Sequence, residues 1–235
     1  MHLYLARHGE TAWNIDQRVQ GWEDSPLTEK GLRQAKALAD RLERVPLVAV
    51  YSSDLGRANH TARIVAQRHN LDVQVRNSFR EMSWGEWEGL TWRQMQAKNP
   101  ELWDAFVEKG RQELGGGETD WESFTHIPGG ETIAQTAARF YAGLDEIIAR
   151  HTAETDCVLV VGHGGTLRLA FTHALNLRPV AHRYFHLDNT GLSCIDHAPK
   201  GHARIRFVND TGHYQEEAPE KGEVTERTPQ SEAGL

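Results

Sequence analysis

The stretch HLYLARHGE, His2–Glu10, changes character in mid-run. Leu3, Tyr4, Leu5 and Ala6 look built for burial, and then Arg7, His8, Gly9 and Glu10 follow without a break. A short apolar run ended by a glycine-containing turn reads as a buried parallel strand. In open α/β sheets ligands collect at the carboxyl ends of such strands, which is where Arg7 and His8 are expected.

Further along the chain, strand-like and helix-like stretches alternate. TEKGLRQAKALADRLERV repeats Leu32, Ala35, Leu38 and Leu42 at helical spacing behind Thr28, a residue type suited to an N-cap. LVAVYSS (47–53) reads as a strand, DLGRANHTARIVAQRHN as a helix through Ala58, Ala62 and Val65, and DVQV as a short strand. ETIAQTAARFYAGLDEIIARH is an amphipathic helix, CVLVVGHGG a buried strand with a glycine turn, TLRLAFTHALN a helix, and GLSCIDH and ARIRFVN are closing strands. The alternation predicts an α/β fold: a three-layer sandwich with a mostly parallel sheet flanked by helices. Between Leu90 and Pro128 the rhythm fails. A helical pattern breaks at Pro100, and a loose loop hinges at Gly115, Gly116 and Gly117, which suggests a small cap insertion over about residues 90–128. The expected organisation is a catalytic domain over 1–212 and a disordered acidic tail over 213–235. From Glu216 onward the tail carries six acids against Lys221 and Arg227, with little that could be buried.

Composition narrows the class. With 235 residues, 39% hydrophobic and 25% charged, the chain has the make-up of a soluble globular protein. No apolar run approaches the roughly 20 residues of a membrane span, and the N-terminal stretch does not read as a secretory leader, having no basic segment followed by an apolar run and a small-residue cleavage site. Cys157 and Cys194 sit in strand-like runs and read as small core residues in a reducing, cytoplasmic setting. A net charge of −7 argues against general nucleic-acid binding.

The strand ends supply the chemistry. The first carries Arg7 and His8. LVAVYSS ends at Ser52 and Ser53, with Arg57 in the first turn of the next helix. CVLVVGHGG delivers His163, with Gly164 and Gly165 opening a helix, and Glu81 follows the short strand. Taken singly, each has an ordinary structural explanation: a hydrogen-bonded histidine, a surface ion pair, a turn. Those explanations do not account for two arginines, two histidines and a glutamate meeting on one sheet edge. Arginine forks beside helix N-termini make an anion site, built here against the acidic field of the whole chain.

Five blocks, RHGETAWN (7–14), SSDLGRANHTA (52–62), REMSWGEWEG (80–89), PGGET (128–132) and VVGHGGTLR (160–168), resemble in order the signature blocks of the histidine phosphatase superfamily, the phosphoglycerate-mutase-like fold. GWEDSPLTEKGLRQA resembles the stretch after the first motif, and the likeness covers about residues 1–210. It implies a phosphomonoesterase acting on small phosphorylated metabolites, with His8 as nucleophile and a phosphohistidine intermediate. Arg7, Arg57 and His163 would hold the phosphoryl oxygens. Asn14 and the Gly164 N–H would add hydrogen bonds, and Glu81 would act as general acid and then base. No metal and no cofactor is implied. Flanking arginines would favour the neutral, nucleophilic imidazole of His8, while a neighbouring phosphate dianion would help Glu81 hold its proton.

EMSWGEWEGLTWRQM resembles the phosphatase branch, where Gly-x-Trp-Glu-Gly follows the acid. Arg93, Lys98, Lys109 and Arg111 are spaced like solvated helix faces, not like a mutase's grip on a second phosphate. A cofactor-dependent phosphoglycerate mutase is the alternative from the same family. A metal-dependent hydrolase lacks H-x-H or H-E-x-x-H spacing among the 13 histidines; His151, His173, His182, His186, His197 and His202 look dispersed. A non-catalytic binding module would be expected to have lost His8, Glu81 or His163. Trp87, Trp92, Trp103 and Trp121 lie in or beside the cap, where packing is the default role and a substrate-facing wall the alternative. The expected partners are a small phosphorylated metabolite, neither nucleic acid nor membrane, with a homodimer left open because dimers occur in the family.

Overall fold

The computed structural model describes residues 1–114, 127–198 and 202–214, and side chains within 110–114 are left aside. Gly115, Gly116, Gly117, Trp121 and the tail from residue 215 onward lie outside the described residues, as does the side chain of Arg111. His213 and Tyr214, expected at the start of the tail, form a turn after the last strand, with His213 Nε2 beside Thr190 Oγ1 at 3.4 Å.

Among the described residues six strands form one sheet: β1 (His2–Arg7), β2 (Leu47–Ser52), β3 (Val73–Val75), β4 (Cys157–Gly162), β5 (Leu192–His197) and β6 (Ala203–Asp210), in the order β3-β2-β4-β1-β5-β6. The first four are mutually parallel, and a short helix, α1 (Ala12–Ile15), follows β1. β5 runs antiparallel to β1, and β6 antiparallel to β5. The register sets Leu3 beside Val158 and Arg7 beside Gly162, so β1 and β4 end level.

The two-residue side-chain period divides the sheet's apolar residues between two cores. Leu3 and Leu5 of β1 and Val158 and Val160 of β4 face α6 (Ile133–Arg150) and α7 (Gly164–Ala174). Ala6 with Leu159 and Val161 faces α2 (Glu29–Leu42) and α3 (Gly56–Arg68). The result is three layers. Both cysteines are free and buried in strands, where burial pushes the Cys194 thiol up to about 12.

Helix starts follow the expected side chains. Thr28 accepts the Gly31 N–H at 2.9 Å to cap α2, and Thr132 exchanges hydrogen bonds with Gln135 to cap α6. The buried face of α2 carries Ala35, Leu38 and Leu42 as the periodicity predicts. Gln34 is buried beside them, and Leu32 is only half-buried. Gln34 is turned inward because its amide oxygen accepts the Glu10 N–H at 2.9 Å, tying the loop after β1 to this helix.

The cap region divides where Pro100 divides it, into α4 (Trp92–Lys98) and α5 (Pro100–Leu114). Asn99 takes the capping position, its side chain accepting the Leu102 N–H at 3.1 Å, and proline fits the first helical turn, where no N–H is needed. Met95 and Phe106 drop into the same core as α6, joined by Trp84, Trp87, Trp92 and Trp103. Ring pairs such as Trp84–Phe106 at 5.7 Å and Trp87–Phe106 at 5.4 Å fix this packing. No helix among the described residues is long and apolar enough to cross a membrane.

The crossovers out of β1 and β4 part company. α2 leaves to one face of the sheet and α7 to the other, so the carboxyl ends of these adjacent strands border a crevice.

Candidate active site

The sheet ladder continues past its strands: the His8 N–H donates to the Gly162 carbonyl (3.0 Å) and the Ser53 N–H to the Val161 carbonyl (3.1 Å). That extension sets His8 at the mouth of the crevice, beside His163. The two imidazoles meet edge to face, with centroids 5.4 Å apart and an interplanar angle of 61°.

His8 Nδ1 lies 2.8 Å from the Gly9 carbonyl oxygen, which can only accept. Nδ1 therefore carries the proton, and Nε2 of the neutral ring keeps its lone pair. Burial, then Arg57 and Arg7, hold His8 well below the usual histidine range. His163 is wholly buried against His8 and does not form part of the cavity wall. Neither of its ring nitrogens has a partner among the described residues. Burial and the Arg57 charge depress it as well.

Arg7 donates from Nη1 to the Leu187 carbonyl at 2.8 Å, while its buried Nε has no partner among the described residues. Burial draws this guanidinium down to about 10, with the Glu81 charge opposing. Arg57 is more tightly held than its place in the sequence suggests. Its Nη1 reaches the Glu23 carbonyl (2.7 Å) and Asp24 (3.0 Å), its Nη2 the Gly21 carbonyl (2.8 Å), and Nε is left over. It thus clamps the 21–24 loop while contributing charge. Asn14 Oδ1 accepts from the Thr11 N–H, the Thr11 hydroxyl and Asn189 Nδ2, an arrangement that leaves its own NH2 as the donor available to the cavity.

Glu81 is seated on the start of α7. Its Oε2 accepts the Gly165 N–H at 2.9 Å, and its Oε1 accepts the Thr166 N–H at 3.1 Å and the Met82 N–H at 2.9 Å. Gly164, whose N–H is the first of that helix, packs against the Arg7 guanidinium. The absence of a side chain at Gly165 lets the Glu81 carboxylate sit there, since a Cβ would fall on that carboxylate. The Glu81 carbonyl is pinned from behind by Arg139 Nη2 (2.7 Å) and Trp22 Nε1 (2.9 Å), and Arg139 is itself paired with Glu131.

Arg7, His8, Asn14, Arg57, Glu81 and Gly164 thus border one cavity of about 340 Å³, within the range of small-molecule sites. The lining also includes an apolar set: Val19, Trp84, Trp92, Phe106, Ile133 and Leu169. Of the tryptophans expected at the cap, Trp92 reaches the cavity and Trp87 and Trp103 pack behind it. Trp84, not singled out by the sequence, does reach it. His182 and His186, dispersed in sequence from the first motif, also line it, together with Arg168 and Arg183. Arg139 gave no signal, being an arginine on the polar side of an amphipathic helix. Among the described residues no three His, Cys, Asp or Glu side chains cluster as metal ligands.

Comparison with known proteins places this geometry among relatives. Residues 3–211 match the model of the histidine phosphatase superfamily (branch 1). A curated protein of Proteus mirabilis named "Probable phosphoglycerate mutase GpmB" is 36% identical over 84% of this chain and 85% of its own. The alpha-ribazole phosphatase of Shigella flexneri superposes with a TM-score of 0.77 at 30% identity, covering 90% of this chain and 97% of that one. The mycobacterial glucosyl-3-phosphoglycerate phosphatase, solved with VO3, gives 0.75 at 29% identity over 88% and 98%.

Proposed function

This chain belongs to branch 1 of the histidine phosphatase superfamily, and from that premise we propose that it is a phosphomonoesterase hydrolysing small organic phosphates through a phosphohistidine on His8. The observation that carries the reading is the state of His8. One ring nitrogen is committed to the Gly9 carbonyl, and the other is free to attack between the charges of Arg7 and Arg57.

In this reading the phosphate enters the polar wall and takes up the leftover donors of the cavity residues: Arg7 Nε, Arg57 Nε, the Asn14 amide and the Gly164 N–H. His8 Nε2 attacks phosphorus in line, and the P–O bond to the alcohol breaks. The two guanidinium charges and the neutral N–H donors beside them stabilise the charge on the transferring phosphoryl group. Glu81 gives its proton to the departing oxygen. Its Oε2, with a single N–H donor, has room for that proton, whereas Oε1 is already engaged twice. The carboxylate then takes a proton from water as that water attacks the phosphohistidine, which frees inorganic phosphate and restores His8. Because protein cations supply the charge neutralisation, turnover needs no divalent metal. Activity that survives prolonged chelation is the expected result, and a large loss restored by one metal would overturn this part of the reading.

The name of the curated relative favours a second reading, a mutase, in which the phosphoryl group returns to another hydroxyl. The placement of Arg93, Lys98 and Lys109 supports hydrolysis, since none of them lines the cavity and Lys98 is engaged with Glu86. Incubating the protein with phosphoglycerates and a panel of phosphomonoesters separates the two. Release of inorganic phosphate at a high kcat/KM supports the phosphatase, and isomerisation with little phosphate release supports the mutase.

A further inference from the structure

The backbone that carries Glu81 belongs to no strand or α-helix. β3 ends at Val75, a single 3-10 turn spans Asn77–Phe79, and the Arg80 N–H bond to the Asn77 carbonyl (3.1 Å) closes that turn. From there to Ser83 the main chain is held by side chains from elsewhere, two of them from one stretch of sequence. Arg139 of α6 donates from Nη1 to the Ser78 (3.0 Å) and Arg80 (2.8 Å) carbonyls and from Nη2 to the Glu81 carbonyl (2.7 Å). Glu131, just ahead of α6, takes the Ser83 N–H on Oε2 at 3.0 Å and gives its own N–H to the Ser83 carbonyl at 2.9 Å.

These two side chains also hold each other. Arg139 Nε and Nη2 meet the two Glu131 carboxylate oxygens at 2.7 and 2.6 Å, and the Thr136 hydroxyl donates to the same carboxylate at 3.2 Å. All five N–H donors of the Arg139 guanidinium are thereby spent on protein acceptors. Neither Arg139 nor Glu131 lines the cavity, whereas Arg7 and Arg57 each keep a free Nε there. Arg139 is therefore committed to protein, and what it grips is the segment bearing Glu81. Both ends of Glu81 are fixed: the carboxylate by the first turn of α7, the backbone by α6 and its lead-in.

We propose that Arg139, locked in place by Glu131, is a positioning residue for the reaction: it fixes the direction in which Glu81 presents its carboxyl group, and so governs proton transfer and not phosphate binding. The proposal rests on the reading of Glu81 as general acid. Proton transfer needs donor and acceptor within hydrogen-bond reach, and a displacement of about 1 Å can cost on the order of 10²-fold in rate. Arg7, His8, Asn14 and Arg57 stand on other segments and keep their places when the Arg139 grip is lost.

The test takes, within one protein, the ratio of phosphoenzyme formation rates from p-nitrophenyl phosphate and from an alkyl phosphate. A general loss of active protein cancels in this ratio, and a residue that merely staples the fold would not move it. R139Q should raise the ratio by roughly 10–100-fold over wild type. R139K keeps the charge beside Glu131 but has no fork to span three carbonyls, so it should fall between, and it supplies the test if R139Q does not fold. On an E81Q background no proton donor is left to place, and R139Q or R139K should change the ratio by less than about two-fold. A wild-type ratio in the folded Arg139 variants, or an equally large rise on the E81Q background, would overturn this proposal alone. A ratio unchanged by E81Q itself would overturn the assignment of Glu81 and this proposal with it.

Discussion

The Glu81 carboxylate rests on the first turn of the helix behind His163, its Oε2 accepting the Gly165 N–H at 2.9 Å. A Cβ at Gly165 would fall on that carboxylate. Gly165→Ala should therefore leave the fold intact but push Glu81 away from the helix start. The expected outcome is a loss of about 10–100-fold in kcat on alkyl phosphates, within the scale of acid–base effects, with little change in thermal midpoint. Wild-type kcat in this variant would show that Glu81 acts from another position.

Glu81→Gln gives the sharper test of the proton transfer itself. An alkoxide is a poor leaving group and p-nitrophenolate a good one, so a missing proton donor matters chiefly for the first. Phosphoenzyme formation from alkyl phosphates should slow by about 10²–10⁴-fold. The burst from p-nitrophenyl phosphate should slow far less. The burst is the proper readout because the same carboxylate is assigned to the water step. Equal losses on both substrates would reduce Glu81 to a positioning residue.

Rapid acid-free quenching during turnover should trap phosphate on His8. The adduct should be labile to acid and stable to alkali, as expected of a phosphoramidate, and absent from His8→Ala, which should also lack turnover. Phosphate found on a serine or an aspartate would remove His8 as nucleophile.

Acid should destabilise the protein through histidines whose charged form the fold disfavours, the buried His8 and His163 and the half-buried His182. In the folded state His8 and His163 are held well below the ordinary value of 6.5, and His182 lies at about 3. Above pH 6.5 these rings are neutral in both the folded and unfolded chains. Below it only the unfolded chain takes up the protons, so stability falls with falling pH, by up to about 1.4 kcal/mol per pH unit for each such ring. Urea midpoints should decline between pH 6.5 and 5, and His182→Gln should make that decline shallower. A midpoint independent of pH over this window would show that the rings protonate in place.

Much of the molecule was legible from short-range patterning. HLYLAR and CVLVVG carry apolar residues for both faces of a strand, and such strands form the centre of a parallel sheet; Thr28 and Thr132 mark helix starts by a local hydrogen bond. Pro100 marks a break by its missing N–H. His8, Arg7, His163 and Glu81 stood out because each follows a strand or a turn whose end the chain itself announces.

What the sequence determined by itself was therefore the set of elements, the sheet edge that borders the cavity, and the family to which the blocks belong. Tertiary structure decided the far wall and the support of the site. Arg139 reaches the Glu81 carbonyl across 58 positions, Arg7 the Leu187 carbonyl across 180, and Asn189 the His8 carbonyl across 181. It also decided that Arg57 clamps the 21–24 loop, and that Trp84 and Trp92 face the cavity while Trp87 does not. A helix period or a capping side chain is a local property, repeated every few residues and fixed by backbone geometry. Whether a guanidinium meets a carboxylate, a carbonyl or an open cavity depends on which distant segments the sheet order brings beside it.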